Sequence, residues 1–148
     1  MELLFSKDGK TLITASSDGA KSWNVETGEL LQRFEQNPLR RIETLALSSD
    51  EKILATEGED DHFNLWDFET GKLLWKSPDI NKTVRELSFS PDGKKITSRT
   101  NSQLSIWEVA TGELLEQISV TETQFPDFSP DWRLVTWYDK KNKNNGFI

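Results

Sequence analysis

Short runs of apolar residues alternate with polar, turn-forming segments along the whole chain. Between residues 43 and 77 the runs ETLALS, ILATEGE, HFNLWDF and KLLWKS are separated by SDEK, an acidic stretch and ETG. None of these runs has the spacing of three and four residues that marks an amphipathic helix. Their length and their flanking turns predict β-strands, four to each unit.

A repeat with a period of about 42 residues organises these strands. Its first marker is a Trp followed five residues later by a Gly, which is expected to take a positive φ in the turn after the Trp strand. Its second marker is a Ser-x-Asp turn. The Trp–Gly pairs stand 43 and 41 residues apart: Trp23 with Gly28, Trp66 with Gly71, and Trp107 with Gly112. The turns SKDGK, SSDEK, SPDGK and SPDWR begin at residues 6, 48, 90 and 129. Two markers with one period indicate a repeat protein.

The strand that carries the Trp is apolar on both faces. Side chains alternate across a strand, so Phe63 and Leu65 lie on the face opposite Trp66. The equivalent residues of the third unit are Leu104, Ile106 and, opposite them, Trp107. A strand with two apolar faces is buried on both sides. The pattern therefore predicts an all-β fold of stacked, four-stranded antiparallel sheets, whereas a β-sandwich has no such regular period.

Several segments resemble the WD-repeat β-propeller family. FSPDGKKI, at residues 89–96, is similar to the family's turn between its first two strands, and LITASSDGAKSWNVETG, at 12–28, follows its second and third strands. The signature pair stands at Trp66–Asp67 and becomes Trp23–Asn24 and Trp107–Glu108 elsewhere. The resemblance implies one incomplete propeller over residues 1–148. Its expected blades are 1–36, 42–79 and 83–121, with an incomplete fourth over 124–148.

The chain departs from the family pattern in its histidines. The family often has a Gly-His pair before the Ser-x-Asp turn, but His62 is the single histidine here. The family's buried His–Asp–Ser/Thr–Trp network is therefore expected to be incomplete, with packing as the main source of stability. The segment LWDFETGKLLWKS, at 65–77, also resembles quinoprotein-type propellers, and the Ser-x-Asp turns are shared with Tol-B-like propellers.

Composition excludes several classes of function. The net charge of −7 argues against nucleic acid and anionic membranes as partners, because both require clustered Lys and Arg. The chain has no Cys and one His, so thiol chemistry and a His-pair metal site are excluded. We expect no catalytic residues, no metal and no cofactor. No long apolar run is present, and a soluble cytoplasmic protein is expected.

Five charged residues are candidates for binding a protein partner. Arg40 and Arg41 precede the first strand of the second unit, and Arg85 holds a comparable place in the third. Asp60 and Asp61 belong with Glu57 and Glu59 to an acidic cluster. This cluster either binds Ca²⁺ or a basic partner, or is a solvated hairpin loop. In propellers of this kind these connections gather on one face. The arginines there either bind an acidic partner peptide or are ordinary charged residues of a loop.

Between three and four units are present, so three arrangements stay open. The chain is a piece of a larger propeller, or copies self-associate to complete one, or an open stack has polar ends. Ala20 and Ser22, opposite Trp23, suggest a capping face. The resemblance to the family implies that the chain is a non-catalytic scaffold for protein–protein interaction. The alternatives are part of a quinoprotein-like or Tol-B-like propeller that shapes a ligand path, and a remnant without independent function.

Overall fold

A computed structural model of the chain describes residues 2–34, 42–58, 61–80, 82–120, 124–128, 132, 135–139 and 144–147. Within these ranges the chain forms strands and turns and contains no helix. The strands make four separate antiparallel sheets, and each sheet uses strands that are consecutive in the sequence. The chain therefore builds its structure from local units, as a repeat protein does.

Three of the sheets have four strands, which neighbour one another in sequence order. The first sheet contains β1 (Glu2–Phe5), β2 (Thr11–Ser16), β3 (Gly19–Asn24) and β4 (Leu30–Phe34). The second contains β5 (Ile42–Leu47), β6 (Ile53–Gly58), β7 (Phe63–Asp67) and β8 (Leu73–Lys76). The third contains β9 (Glu86–Phe89), β10 (Lys95–Arg99), β11 (Gln103–Glu108) and β12 (Leu114–Ser119). The described strands of the fourth sheet are β13 (Gln124–Phe128), β14 (Val135–Asp139) and β15 (Asn144–Phe147).

Each of the first three Ser-x-Asp turns closes on its own side chains. In the turn before β10, Ser90 Oγ donates to Asp92 Oδ1 at 2.6 Å and accepts from the Lys95 N–H at 2.9 Å. The equivalent pairs are Ser6 with Asp8 at 2.6 Å and Ser48 with Asp50 at 2.7 Å. These serine hydroxyls, followed by backbone N–H groups, lower the pKa of all three aspartates, so the turns keep ionised acceptors.

The residue after each repeat Trp holds the next turn, although its identity changes. It accepts a hydrogen bond from the Thr three residues later. The bonds join Thr27 to Asn24 Oδ1 at 3.0 Å, Thr70 to Asp67 Oδ1 at 2.8 Å, and Thr111 to Glu108 Oε2 at 2.6 Å. The glycine after each Thr has a positive φ, as the repeat predicted: 73° at Gly28, 68° at Gly71 and 74° at Gly112.

The first and second sheets pack face to face through an apolar cluster. Phe34 of β4 stacks on Phe68 with 5.6 Å between ring centroids, and it meets the edge of Trp66 at 6.4 Å. The buried members of this cluster are Ile13, Ala15, Ala20, Phe34, Ile42, Leu45, Leu54 and Trp66. Burial of this apolar area from both sheets stabilises their contact.

A second cluster joins the second and third sheets. Phe63 lies edge-on to Trp107, with 5.6 Å between ring centroids, and edge-on to Trp75 at 5.4 Å. The buried members are Ala46, Ala55, Phe63, Leu65, Val84, Leu87, Ile96, Trp107 and Val109. Strand β7 is thus buried on both faces, and the prediction of an all-β protein of stacked antiparallel blades is confirmed. The blade limits drawn from the repeat stay predictions.

Each repeat Trp donates its indole N–H to a hydroxyl on the neighbouring strand. The donor–acceptor pairs are Trp23 with Thr14 at 3.0 Å, Trp66 with Thr56 at 2.9 Å, and Trp107 with Ser98 at 2.9 Å. The Ser/Thr–Trp half of the family's network is therefore present in the first three sheets. His62 lies elsewhere, with its Nδ1 2.8 Å from the Ser77 carbonyl oxygen.

A side chain from one sheet also covers the glycine turn of the next. Gln32 lies over Gly71, and Trp75 lies over Gly112. Both residues stand four positions after the glycine of their own turn. The Trp75 indole N–H donates to the Val109 carbonyl oxygen at 2.7 Å, which fixes the ring across the boundary between the sheets. These contacts, which we call turn clasps, add a polar link to the apolar packing.

The face that was expected to cap the stack is an internal face. Ala20 and Ser22 are buried, and Ala20 belongs to the cluster between the first and second sheets. The small size of Ala20 reflects close packing, because Phe34 is its register partner on β4. The exposed face of the first sheet is instead the one that carries Trp23 and Phe5. The capping suggestion was therefore wrong.

Replacement of Thr56 by Val keeps the side-chain shape but removes the acceptor of the Trp66 indole, which is 4% exposed. A buried N–H without a partner costs about 1–3 kcal/mol. We therefore expect the free energy of unfolding, measured by urea titration, to fall by that amount. Thr14→Val is the matched control, because Trp23 is half-buried and water can replace its acceptor. Equal losses at the two sites would contradict a special role for the buried bond.

Gly112→Ala and Gly28→Ala separate backbone strain from contact between sheets. Their φ values are 74° and 73°, so both alanines incur the same left-handed penalty, roughly 1–2 kcal/mol. A Cβ at Gly112 would lie 3.2 Å from the Trp75 ring, whereas nothing lies within 4 Å at Gly28. We expect Gly112→Ala to lower the melting temperature more. In a Trp75→Ala background the two losses should become equal; a persisting difference would rule out the clasp as its cause.

Candidate interaction surface

The two ends of the stacked sheets differ in the segments that connect the strands. One end, here called the turn end, carries the Ser-x-Asp turns and the glycine turns. The other, here called the loop end, carries the hairpins β2–β3, β6–β7 and β10–β11 and the connections between sheets. In an antiparallel sheet with sequential strands, successive connections alternate between ends. Asp61 and Arg85 therefore belong to the loop end.

Polar groups at the turn end bond to one another across the sheets. The Lys7 N–H donates to Glu51 Oε1 at 2.5 Å, and the Lys7 ammonium group donates to the Ser49 carbonyl oxygen. Ser49 Oγ donates to the Pro91 carbonyl oxygen at 2.7 Å. These bonds link the first three Ser-x-Asp turns in a row. Several polar groups at the turn end therefore bond to other groups of the protein.

Asp18 supplies an exposed negative charge at the loop end of the first sheet. Its carboxylate accepts hydrogen bonds from the Lys21 ammonium group and from the Ser16 hydroxyl. The Lys21 bond, followed by the Ser16 bond, lowers the pKa of Asp18 from 3.8 to about 2. Asp18 is 60% exposed at its side chain while Lys21 is 10% exposed, so the carboxylate is the solvent-facing member of the pair.

The third sheet presents cationic side chains at the loop end. Arg85 is exposed and stands directly before β9, and its N–H donates to the Arg99 carbonyl oxygen at 2.7 Å. Lys82 Nζ donates to Ser102 Oγ at 2.8 Å, which ties the preceding connection to the β10–β11 hairpin. The Arg99 guanidinium lies 3.6 Å from the Glu86 carboxylate. The backbone bond thus fixes the base of the exposed Arg85 side chain.

The other candidates are only partly within the described residues. Asp61 follows β6, is half-buried, has a φ of 55°, and its carbonyl oxygen accepts from the Ile80 N–H at 3.0 Å. Arg40, Arg41 and Asp60 lie outside the described residues. The structure therefore locates Asp61 and Arg85 at the loop ends of consecutive sheets, and the binding role of all five residues stays a prediction.

The acidic cluster that begins at Glu57 is not a solvated loop throughout. Glu57 is fully buried within β6, where it is the register partner of Phe63. The strand continues to Gly58 and carries Glu57 into the sheet, a placement that its charge alone did not suggest. Over the residues that the structure describes, no three His, Cys, Asp or Glu side chains are arranged to hold a metal ion, and no helix could span a bilayer.

Sequence reasoning missed a cleft along the first strands of the first three sheets. Its lining includes Leu4, Leu45, Phe89 and Trp132. Trp132 takes the place in SPDWR that Gly93 takes in SPDGK, and both residues have positive φ, 54° and 68°. The substitution of the turn glycine by Trp was the available signal, because it puts a large ring where the repeat has none.

No family model matches this chain. The small ribosomal subunit protein RACK1 of Medicago sativa is 32% identical over 79 residues, which cover 53% of this chain and 24% of that protein. The eukaryotic translation initiation factor 3 subunit I of Aspergillus terreus is 27% identical over 129 residues, which cover 85% of this chain and 35% of that protein. The same subunit of Lodderomyces elongisporus is 33% identical over 98 residues, covering 64% and 27% of the two chains.

These relatives are WD-repeat proteins, and the chain is similar to them at modest identity. The similarity agrees with the stacked four-stranded sheets, the Trp–hydroxyl bonds and the Ser-x-Asp turns described above. The chain spans between about a quarter and a third of the length of these curated relatives.

The Asp18 carboxylate provides a pH test of the loop end. Because its folded pKa of about 2 lies below the ordinary 3.8, its stabilising contribution is present above the ordinary value and is lost as pH falls through about 2. We expect an NMR titration of the Asp18 carboxyl carbon to show a midpoint near the lower value. Lys21→Met should move that midpoint upward, because it removes the main cause. A midpoint near 3.8 in the wild-type chain would contradict the Asp18–Lys21 pairing.

Proposed function

We propose that the chain is a non-catalytic protein-interaction module whose loop end binds an acidic segment of a protein partner. The observation that carries this proposal is the exposed Arg85, whose backbone is held by the 2.7 Å bond to Arg99 directly before β9. A guanidinium pairs with a carboxylate through two parallel hydrogen bonds, which provide direction as well as affinity. An anchored backbone also reduces the freedom that is lost on binding.

Neighbouring charges support the same surface. Lys82 is exposed on the connection that leads to Arg85 and adds positive charge. Arg41 precedes β5 directly, as Arg85 precedes β9, so the repeat assigns Arg40 and Arg41 to the corresponding region of the second sheet. Asp60 and Asp61, in the adjacent hairpin, would repel carboxylates placed away from the arginines. Such like-charge repulsion contributes to specificity more than to affinity.

The relatives' names support a role inside a larger assembly. A small ribosomal subunit protein and a subunit of an initiation factor are components of multi-protein complexes by name. From these names we propose two properties for the present chain, a protein partner and a cytoplasmic location. His62 has its Nδ1 at hydrogen-bond distance from the Ser77 carbonyl oxygen, which supports a structural use of the single histidine. No cofactor enters the proposal.

Charge reversal at Arg85 tests the proposal. Proteins captured by the tagged wild-type chain from an extract of the cells that express it are quantified by mass spectrometry. The same is done with Arg85→Glu and with Lys52→Glu, which makes the same charge change at an exposed turn-end residue. Breaking a desolvated charge pair costs about 2–5 kcal/mol. We therefore expect Arg85→Glu to reduce capture of a specific partner at least about tenfold, while Lys52→Glu retains it.

Equal loss with the two variants would mean that net charge, and not the loop end, governs capture. Retention of the partner by Arg85→Glu would contradict the assigned surface. A wild-type chain that captures no partner under conditions in which it is folded would contradict the interaction role itself.

A further inference from the structure

The last strand of each of the first three sheets has an edge that pairs with no described strand. These strands are β4, β8 and β12, which pair on their other side with β3, β7 and β11. The edge of a sheet presents backbone N–H and C=O groups to which another chain can bond. Proteins commonly block such edges with short strands and with charged side chains, above all lysines.

The three edge strands differ at one equivalent position, five residues after the turn glycine. This position, here called the edge position, holds Arg33 in β4, Lys76 in β8 and Gln117 in β12. The residue is exposed in all three strands, so its exposure is a property of the repeat. Gln117 Nε2 donates to Ser105 Oγ on β11 at 3.2 Å, which directs the amide toward the neighbouring strand. The edge of β12 therefore lacks the cation that the other two edge strands carry.

The strand register shows which backbone groups face the edge of β12. The Val120 N–H donates to the Ser102 carbonyl oxygen at 3.0 Å, and Gln117 is the register partner of Ser105. Bonded and unbonded pairs alternate along an antiparallel ladder. The pair that contains Gln117 is therefore an unbonded one, as is the pair of Ser119 with Gln103. The N–H and C=O groups of Gln117 and Ser119 point away from β11, toward the open edge.

The strand combines length with negative charge. It has six residues, whereas β4 has five and β8 has four. The chain from 108 to 119 contains no Lys or Arg, and its carboxylates include the exposed Glu113 and Glu116. Leu114 and Leu115 are 42% and 47% exposed and provide apolar contact beside these charges. A segment that pairs with this edge is therefore expected to be extended and to carry positive charge.

We propose that the outer edge of β12 binds an extended, basic segment of a partner protein, which joins the third sheet as an added strand. Backbone bonds to Gln117 and Ser119 provide the affinity, as in other cases of strand addition. The Glu113 and Glu116 carboxylates favour Lys or Arg in the segment and disfavour acidic residues. This site lies on a strand edge and takes a segment of opposite charge to the one proposed for the loop end, so the two proposals stand independently.

A synthetic peptide tests the proposal on the full chain. It has alternating Lys and Val residues and the same length as β12, because Val favours the extended conformation. Backbone amide signals of the chain are followed by NMR during titration to millimolar peptide. We expect saturable shifts centred on Gln117 and Ser119, with slower hydrogen exchange at these two amides.

Two control peptides separate strand pairing from attraction by charge. The first has Glu in place of each Lys, and we expect the carboxylates of β12 to prevent its binding. The second keeps every side chain but has N-methylated backbone amides, so it retains the charge and loses the donors of a strand. We expect neither control to give saturable shifts at β12.

Variants of the edge position test the site from the other side. Gln117→Lys restores the cation of the other edge strands and should raise the dissociation constant of the Lys–Val peptide about fivefold. Ala110→Lys makes the same charge change at an exposed turn residue before β12 and should leave that constant within about twofold. Glu116→Gln, which leaves the edge position intact, should weaken binding because it removes a carboxylate from β12.

Several results would overturn the proposal. These are the absence of saturable shifts at Gln117 and Ser119, binding of the acidic peptide as strong as that of the basic one, and undiminished binding of the N-methylated peptide. Equal weakening by Gln117→Lys and Ala110→Lys would overturn it as well, because net charge and not the strand edge would then govern binding.

Discussion

The hydrogen bond from a repeat Trp to a hydroxyl on the adjacent strand is the constraint on which the stack of sheets depends. A Trp side chain buries a large apolar area but must also satisfy one N–H. By bonding to Thr56, the indole of Trp66 is fixed on one face of its sheet, where it meets Phe34 of the preceding sheet. The same bond recurs at Trp107 and Trp23. Within the first three sheets, the Trp-bearing face of the second and of the third packs against the opposite face of the sheet before it, so these sheets stack in a single direction. The Trp-bearing face of the first sheet is the more exposed one.

This directional stack separates the protein into regions with different physical roles. The turn clasps and the bonds among the Ser-x-Asp turns, such as Ser49 to Pro91, link neighbouring sheets at the turn end. The loop end carries the exposed charges of Asp18 and Arg85 on backbones that are held by the sheets. A rigid core with charged connections at one end suits recognition of another protein, since little freedom is lost on binding.

Features that follow from local pattern could be predicted from the sequence. The strands, the burial of β7 on both faces and the positive φ of the turn glycines depend on alternation and on the Trp–Gly spacing alone. Features that depend on contacts between units could not. Ala20 looked like part of an outer face because a small side chain is compatible both with exposure and with close packing against a large neighbour. Glu57 looked solvated because its charge outweighed the strand register that buries it. Trp75 could not be assigned to the turn of Gly112 until the sheets were placed side by side. For the binding residues, the sequence predicted the end of the sheets to which Asp61 and Arg85 belong, but not which groups around them form a site.

The most direct test of the directional stack is hydrogen exchange of the Trp indole N–H groups, measured by NMR with each signal assigned through a Trp→Phe variant. Exchange of a buried, bonded group requires local opening, so its rate reports how well the neighbouring sheet covers it. We expect slow exchange for Trp66 and Trp107, which are 4% and 5% exposed. We expect faster exchange for Trp23, which makes the same bond on an open face. Equal rates at all three positions would contradict the stack as described, because the bond would then be protected or opened without regard to a covering sheet.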